Sequence, residues 1–174
     1  MAIFLDYIMN SDREIIIIAI AEESGVQHIY QEGELEDAID LLASPGHIVT
    51  WARPPFYVER TFDIDRYPIL EDRPMKPRWF DIFSIIRADT GFEASLEKTA
   101  KATLGYGPQS KVVKLPSDLK QETSSHLTDA LFNRLSILQD LYSYIQSNES
   151  VSFYHKSNEI TVEVSGLEPS LLSD

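Results

Sequence analysis

The chain has 174 residues, 43% of them hydrophobic, which suits one domain with a sizeable core. Its 28 acidic residues against 15 Lys and Arg leave a net charge of -13, which repels a phosphate backbone unless the basic residues gather on one face. No cysteine is present, which excludes disulfides, thiolate catalysis and cysteine-ligated zinc, and His28, His47, His126 and His155 are too scattered for a histidine zinc motif.

Three extended segments come first, Ile3 to Met9, Glu14 to Ile20 and Val26 to Tyr30. Asn10, Ser11 and Asp12 separate the first two and Glu22 to Gly25 the next two, which predicts an antiparallel meander. Ile15 to Ile18 lacks alternation, so that strand is expected to be covered on both faces. Ile15 to Ala21 is the longest purely apolar run and is far too short to cross a bilayer, so a soluble cytoplasmic protein without membrane contact is expected.

Leu35, Ala38, Ile39, Leu41 and Leu42 recur at helical spacing and predict a short amphipathic helix, ended by Ser44-Pro45-Gly46. His47 to Trp51 then reads as a fourth strand, reached by a crossover. From Arg53 to Arg78 the chain carries Pro54, Pro55, Pro68, Pro74 and Pro77, which predicts a long extended connection. Aromatic residues concentrate around it: Trp51, Phe56, Tyr57, Tyr67, Trp79, Phe80 and Phe83 suit core and loop anchoring better than base stacking.

Trp79 to Arg87 and Ser95 to Leu104 read as two short helices, the second introduced by Asp89-Thr90-Gly91. Glu122 to Gln146 is the longest, with Leu127, Leu131, Leu135, Leu138, Leu141, Tyr142 and Ile145 in steps of three and four and Thr123-Ser124-Ser125 as caps. Val151 to Tyr154 and Ile160 to Val164 form a closing hairpin, and Gly166 to Asp174 reads as a tail. One domain over 1–165 with a flexible tail at 166–174 follows. Lys98, Lys101, Lys111, Lys114 and Lys120 are the densest positive cluster and read as a solvated face; Leu104-Gly105-Tyr106-Gly107 reads as a turn.

Asp6 stands in the middle of the apolar first strand, FLDYIM, and a lone carboxylate there marks an active-site edge. FLDYIM, IVTWARPPFYV, WFDIFSIIRADTGFEASLEKTAKATLG and RLSILQDLYSYI together resemble the successive motifs of the DEDD 3′-5′ exonuclease family, in particular the predicted exonuclease domains found near helicases. The resemblance runs over about residues 1 to 164 and implies an α/β, ribonuclease H-like fold: a mixed central sheet with a three-stranded antiparallel meander plus further strands, flanked by helices.

In that family four acids hold two divalent metals that activate water at a phosphodiester. The resemblance puts the first acid at Asp6, but its paired Glu falls on Ile8, the second-motif Asp on Tyr57 with its accompanying Asn on Ala52, and the third-motif Asp on Arg134. Magnesium and manganese need converging carboxylate oxygens, which these replacements cannot supply. Asp81 and Asp129 are the weaker candidates for rescuing the ligand count. Arg134 lies on or beside the apolar face of the long helix, where a charge needs a partner, and the resemblance brings it towards Asp6; pairing with a surface acid instead is the other reading.

The expectation is a catalytically inactive exonuclease-like domain that serves as a binding or scaffolding module, with no cofactor and with a protein partner or a weak nucleic-acid contact. Two alternatives stay open: a divergent magnesium- or manganese-dependent 3′-5′ exonuclease using Asp6 with Asp81, Asp63, Asp65 or Asp72, and a nucleic-acid-binding remnant that lost cleavage. A homodimer through the proline-rich loop or the edge of the hairpin is a further expectation.

Overall fold

The computed structural model describes residues 1–31, 33–42, 46–53, 57–58, 61, 78–105 and 124–164. Five strands form one mixed sheet: β1 (Ala2–Met9), β2 (Ile15–Glu22), β3 (Gln27–Gln31), β4 (His47–Thr50) and β5 (Arg78–Asp81), in the order β3-β2-β1-β4-β5. The first three pair antiparallel, as the turn residues require, whereas β4 joins β1 in parallel and β5 joins β4 in parallel. A parallel neighbour needs a crossover, and the segment Leu35–Ala38 with α1 (Ile39–Leu42) lies in the first of these.

β1 is the central strand and is buried over seven of its eight residues. Its side chains alternate between two cores. Ile3, Leu5 and Tyr7 join Ile18, Ile20, Ala38, Ile39, Leu42 and Ile48 on one face, while Phe4 and Ile8 join the apolar stripe of the long helix on the other. Ile15 and Ile18 belong to the first core, and Ile16 and Ile17 pack half-buried against the second, so β2 is covered on both sides as its lack of alternation predicts.

One element differs from the sequence reading. Trp79, Phe80 and Asp81 belong to β5, and the helix α2 starts after them (Ile82–Thr90). Asp81 explains the boundary: its backbone is extended, and its carboxylate accepts from the Phe83 amide as an N-cap. Phe80 then stacks on His47 and meets Tyr142 edge-on, which anchors this strand at the sheet edge.

Gly91 ends α2 in the left-handed conformation, and Ser95 caps α3 (Leu96–Leu104) through the Lys98 amide. The long helix α4 (Ser124–Asn148) buries Leu127, Leu131, Leu135, Leu138, Leu141, Tyr142 and Ile145 against β1, β2 and β4. Each fully buried Leu contributes about 1.5–3 kcal/mol, so α4 is held by packing of this stripe more than by propensity. Gln139 adds a polar tie to the sheet, donating to the Glu22 carbonyl at 2.9 Å.

The hairpin β6 (Ser150–His155) and β7 (Asn158–Glu163) forms a separate two-stranded sheet. Val151, Phe153 and Val162 insert into the same core as α4, and Thr103 of α3 both donates to the Ser152 carbonyl and accepts from its amide. The chain is thus a mixed α/β architecture, a mixed sheet flanked by helices. The predicted tail at 166–174 and most of the proline-rich connection lie outside the described residues. No helix among those described is long and apolar enough to cross a membrane.

Candidate functional site

β1 runs on to Met9, but its ladder with the parallel strand β4 ends at the Phe4–Val49 pair. β4 closes at Thr50, and the chain turns away at Trp51-Ala52-Arg53. The carboxyl end of a parallel strand is where open α/β sheets form ligand crevices. Asp6 sits on β1 just past that departure, on the face that meets α4, and is 1% exposed.

Both Asp6 oxygens are taken by arginines. Arg134 Nε donates to Oδ2 at 2.5 Å and Arg53 Nε donates to Oδ1 at 2.6 Å, while the Tyr7 amide also donates to Oδ1 at 2.9 Å. The arginine side chains are 12% and 20% exposed, so this is a carboxylate held between two mostly buried guanidinium groups. Arg134 reaches it because it lies three residues after Leu131 and four before Leu138, at the margin of the buried stripe of α4. Of the two readings for Arg134, pairing with Asp6 or with a surface acid, the first is the one present.

Arg53 is the residue that sequence reasoning missed as a partner. Its place is set by a cluster of backbone constraints: Ala52 adopts φ 54°, its amide donates to Asp81 Oδ1 at 2.9 Å, and Trp79 Nε1 donates to the Arg53 carbonyl at 3.0 Å. A left-handed alanine is disfavoured by about 1–2 kcal/mol, so the turn is held by these bonds. The guanidinium then lies over the Tyr7 ring, 5.2 Å from its centroid. The available signal was position alone: an arginine three residues beyond the carboxyl end of β4.

The other predicted positions divide clearly. Ile8 shares the Asp6 face and packs into the core, 6% exposed. Tyr57 packs half-buried against the opposite core, which holds Tyr7, so the Asp6 face does not receive it. Asp81 is occupied as a cap, accepting from the Ala52 and Phe83 amides and from Ser84 Oγ. Asp129 is exposed on α4. Asp63, Asp65 and Asp72 lie outside the described residues, as do Lys111, Lys114 and Lys120.

Among the described residues, no group of three or more His, Asp or Glu is arranged to hold a metal ion. The set around Asp6 does not suit a hard divalent cation either: both carboxylate oxygens accept charge-assisted bonds, and two guanidinium groups oppose any incoming positive charge.

Burial pushes the Tyr7 phenol up to about 12, against the pull of the Arg53 guanidinium and with help from the Asp6 carboxylate. Burial also raises Tyr30 and Tyr142. For a pKa raised on folding, the stabilisation is complete below the unfolded value and is lost as pH climbs through the folded one. Stability is thus expected to fall from pH 10 to about pH 12, with Tyr7 responsible for about 2–3 kcal/mol. Urea denaturation across that range measures the loss, and Tyr7→Phe should flatten the slope; an unchanged slope in that variant would refute the assignment.

Three of the four histidines make local contacts. His28 meets Glu22 at 2.8 Å, His47 shares a 2.8 Å hydrogen bond with the Tyr142 hydroxyl, and His155 stacks on Phe92 with ring centroids 4.1 Å apart. Trp51 and Phe83 pack edge to face, so the described aromatics near the connection anchor the core. Compared with known proteins, the chain matches no protein-family model, and no curated protein matches it at a significant level.

Proposed function

We propose that this chain is a ribonuclease H-like domain of the DEDD exonuclease type whose metal centre has been replaced by an arginine-carboxylate cluster, and that it acts as a binding module without cleavage. The observation that carries the reading is the pair of guanidinium groups on Asp6. Two-metal hydrolysis needs several carboxylates facing one another, with metal charge to stabilise the attacking and leaving oxygens. A guanidinium is a fixed cation that can donate hydrogen bonds but cannot lower the pKa of a bound water as a metal does.

The strand order β3-β2-β1-β4-β5, with an antiparallel meander followed by two parallel additions, supports the fold reading. Fold alone does not assign an activity, and it is the arginine pair on Asp6 that carries the reading. The net charge of -13 makes extended, non-specific strand binding unfavourable, and a local contact or a protein partner fits better.

Labelled single-stranded DNA and RNA incubated with the full chain and manganese test the reading directly. No degradation is expected, and Asp6→Ala should leave the products unchanged. Manganese-dependent shortening from the 3′ end that disappears in Asp6→Ala would establish the divergent nuclease instead.

A further inference from the structure

We propose that Arg53 and Arg134 form an anion site that takes a phosphate group at the carboxyl end of β4. The starting point is a charge imbalance. Two guanidinium groups meet one carboxylate, which leaves a surplus positive charge on side chains only 20% and 12% exposed. A cation withdrawn this far from water is unfavourable unless a second anion balances it.

The donor inventory agrees. Each guanidinium carries five N–H groups in a planar fork. Arg134 contributes only Nε to Asp6, and its two terminal nitrogens donate to no acceptor among the described residues. Arg53 contributes Nε to Asp6 and a long 3.4 Å contact from Nη1 to the Ala52 carbonyl. Thr99 Oγ1 is the sole buried side-chain polar atom without a partner among the described residues, so the unused guanidinium nitrogens keep the slight exposure through which a ligand could reach them.

Among the described residues, no carboxylate other than Asp6 forms an ion pair with either arginine. The Asp81 oxygens are directed to the Ala52 and Phe83 amides and to Ser84 Oγ at the start of α2, and make no ion pair with Arg53 or Arg134. Arg53 is also fixed over the Tyr7 ring, which pre-orients its fork before any ligand arrives. Phosphate is the ligand class these donors suit, because its several oxygens can accept from two forks at once. The net charge of -13 opposes a long polyanion, which favours a compact phosphate monoester, free or at a strand end.

This inference deepens the binding reading but stands on the arginine pair: observed cleavage would remove that reading and still leave the titration below to decide this one. The full chain, labelled with nitrogen-15, is titrated with inorganic phosphate while the Nε–H signals of Arg53 and Arg134 are followed by NMR, with acetate as the control anion. A saturable shift of both signals is expected, with affinity about tenfold weaker in Arg134→Gln, the loss of one charged partner. Arg53→Gln serves as the second variant, and the wild-type signals decide the matter even if one variant does not fold. A parallel arm uses a short single-stranded oligonucleotide ending in a 3′-phosphate: tighter binding than inorganic phosphate identifies a strand end as the source, weaker binding a small phosphate monoester. Unmoved arginine signals at tens of millimolar phosphate, an equal response to acetate, or unaltered affinity in both variants would overturn the proposal.

Discussion

Asp6→Leu is expected to destabilise the fold by about 3–5 kcal/mol, the range for breaking a buried ion pair. The loss is large because two guanidinium groups remain side by side with no anion between them, each mostly out of water. Arg134→Met should cost less, about 2–3 kcal/mol, since Arg53 still holds Oδ1 and only Oδ2 loses its charged partner. The triple variant Asp6→Leu/Arg53→Met/Arg134→Met is expected to return to within about 1–2 kcal/mol of the parent, because an apolar set of similar volume avoids the desolvation of all three charges.

Urea denaturation with an unchanged slope gives these values, and the Asp6–Arg134 cycle isolates the coupling. Additive single effects, with coupling below about 0.5 kcal/mol, would show that the cluster is not an energetic unit. Recovery in the triple variant would mean that the charges contribute little net stability. A charged cluster that adds little stability would then fit a role in binding rather than in folding, which the phosphate titration addresses independently.

What the sequence disclosed follows from which forces are local. The meander was legible because turn residues and β-rich runs alternate over short spans, and α4 because its leucines repeat at helical spacing over 25 residues. β5 was not, since Trp79-Phe80-Asp81 runs directly into a helical pattern and only its pairing with β4, some thirty residues back, fixes the strand. Arg134 was legible as a charge on an apolar stripe that needs a partner, but only the resemblance brought it towards Asp6, with a surface acid as the other reading. Arg53 was hidden by its context: it opens a proline-rich connection that reads as solvent-exposed, and its position depends on Ala52, Asp81 and Trp79, which come together only in the folded chain. Tyr57 shows the limit of motif register, since aligning a short word does not decide which face of the sheet a side chain joins.

Restoring acids is the sharper trial of whether Arg134 stands where a metal would. The variant Ile8→Glu/Arg134→Asp places two new carboxylates on the Asp6 face, one two residues along β1 and one on α4 directly opposite. Without metal the variant is expected to lose about 4–5 kcal/mol or more, because like charges converge in a site where Asp6 is 1% exposed and only Arg53 compensates. Manganese at about 100 times its dissociation constant should return about 2.7 kcal/mol, which for a domain of this size raises the melting temperature by roughly 5–10 °C. The parent chain should show no such rise, since its two guanidinium groups repel the cation and its Asp6 oxygens are already engaged. Adding Asp6→Ala to the variant should abolish the response, which ties any gain to convergence on that carboxylate. A variant that folds yet melts at the same temperature with and without manganese would show that Ile8, Asp6 and Arg134 do not converge on a metal-sized space, and the exonuclease-type reading would lose its geometric support.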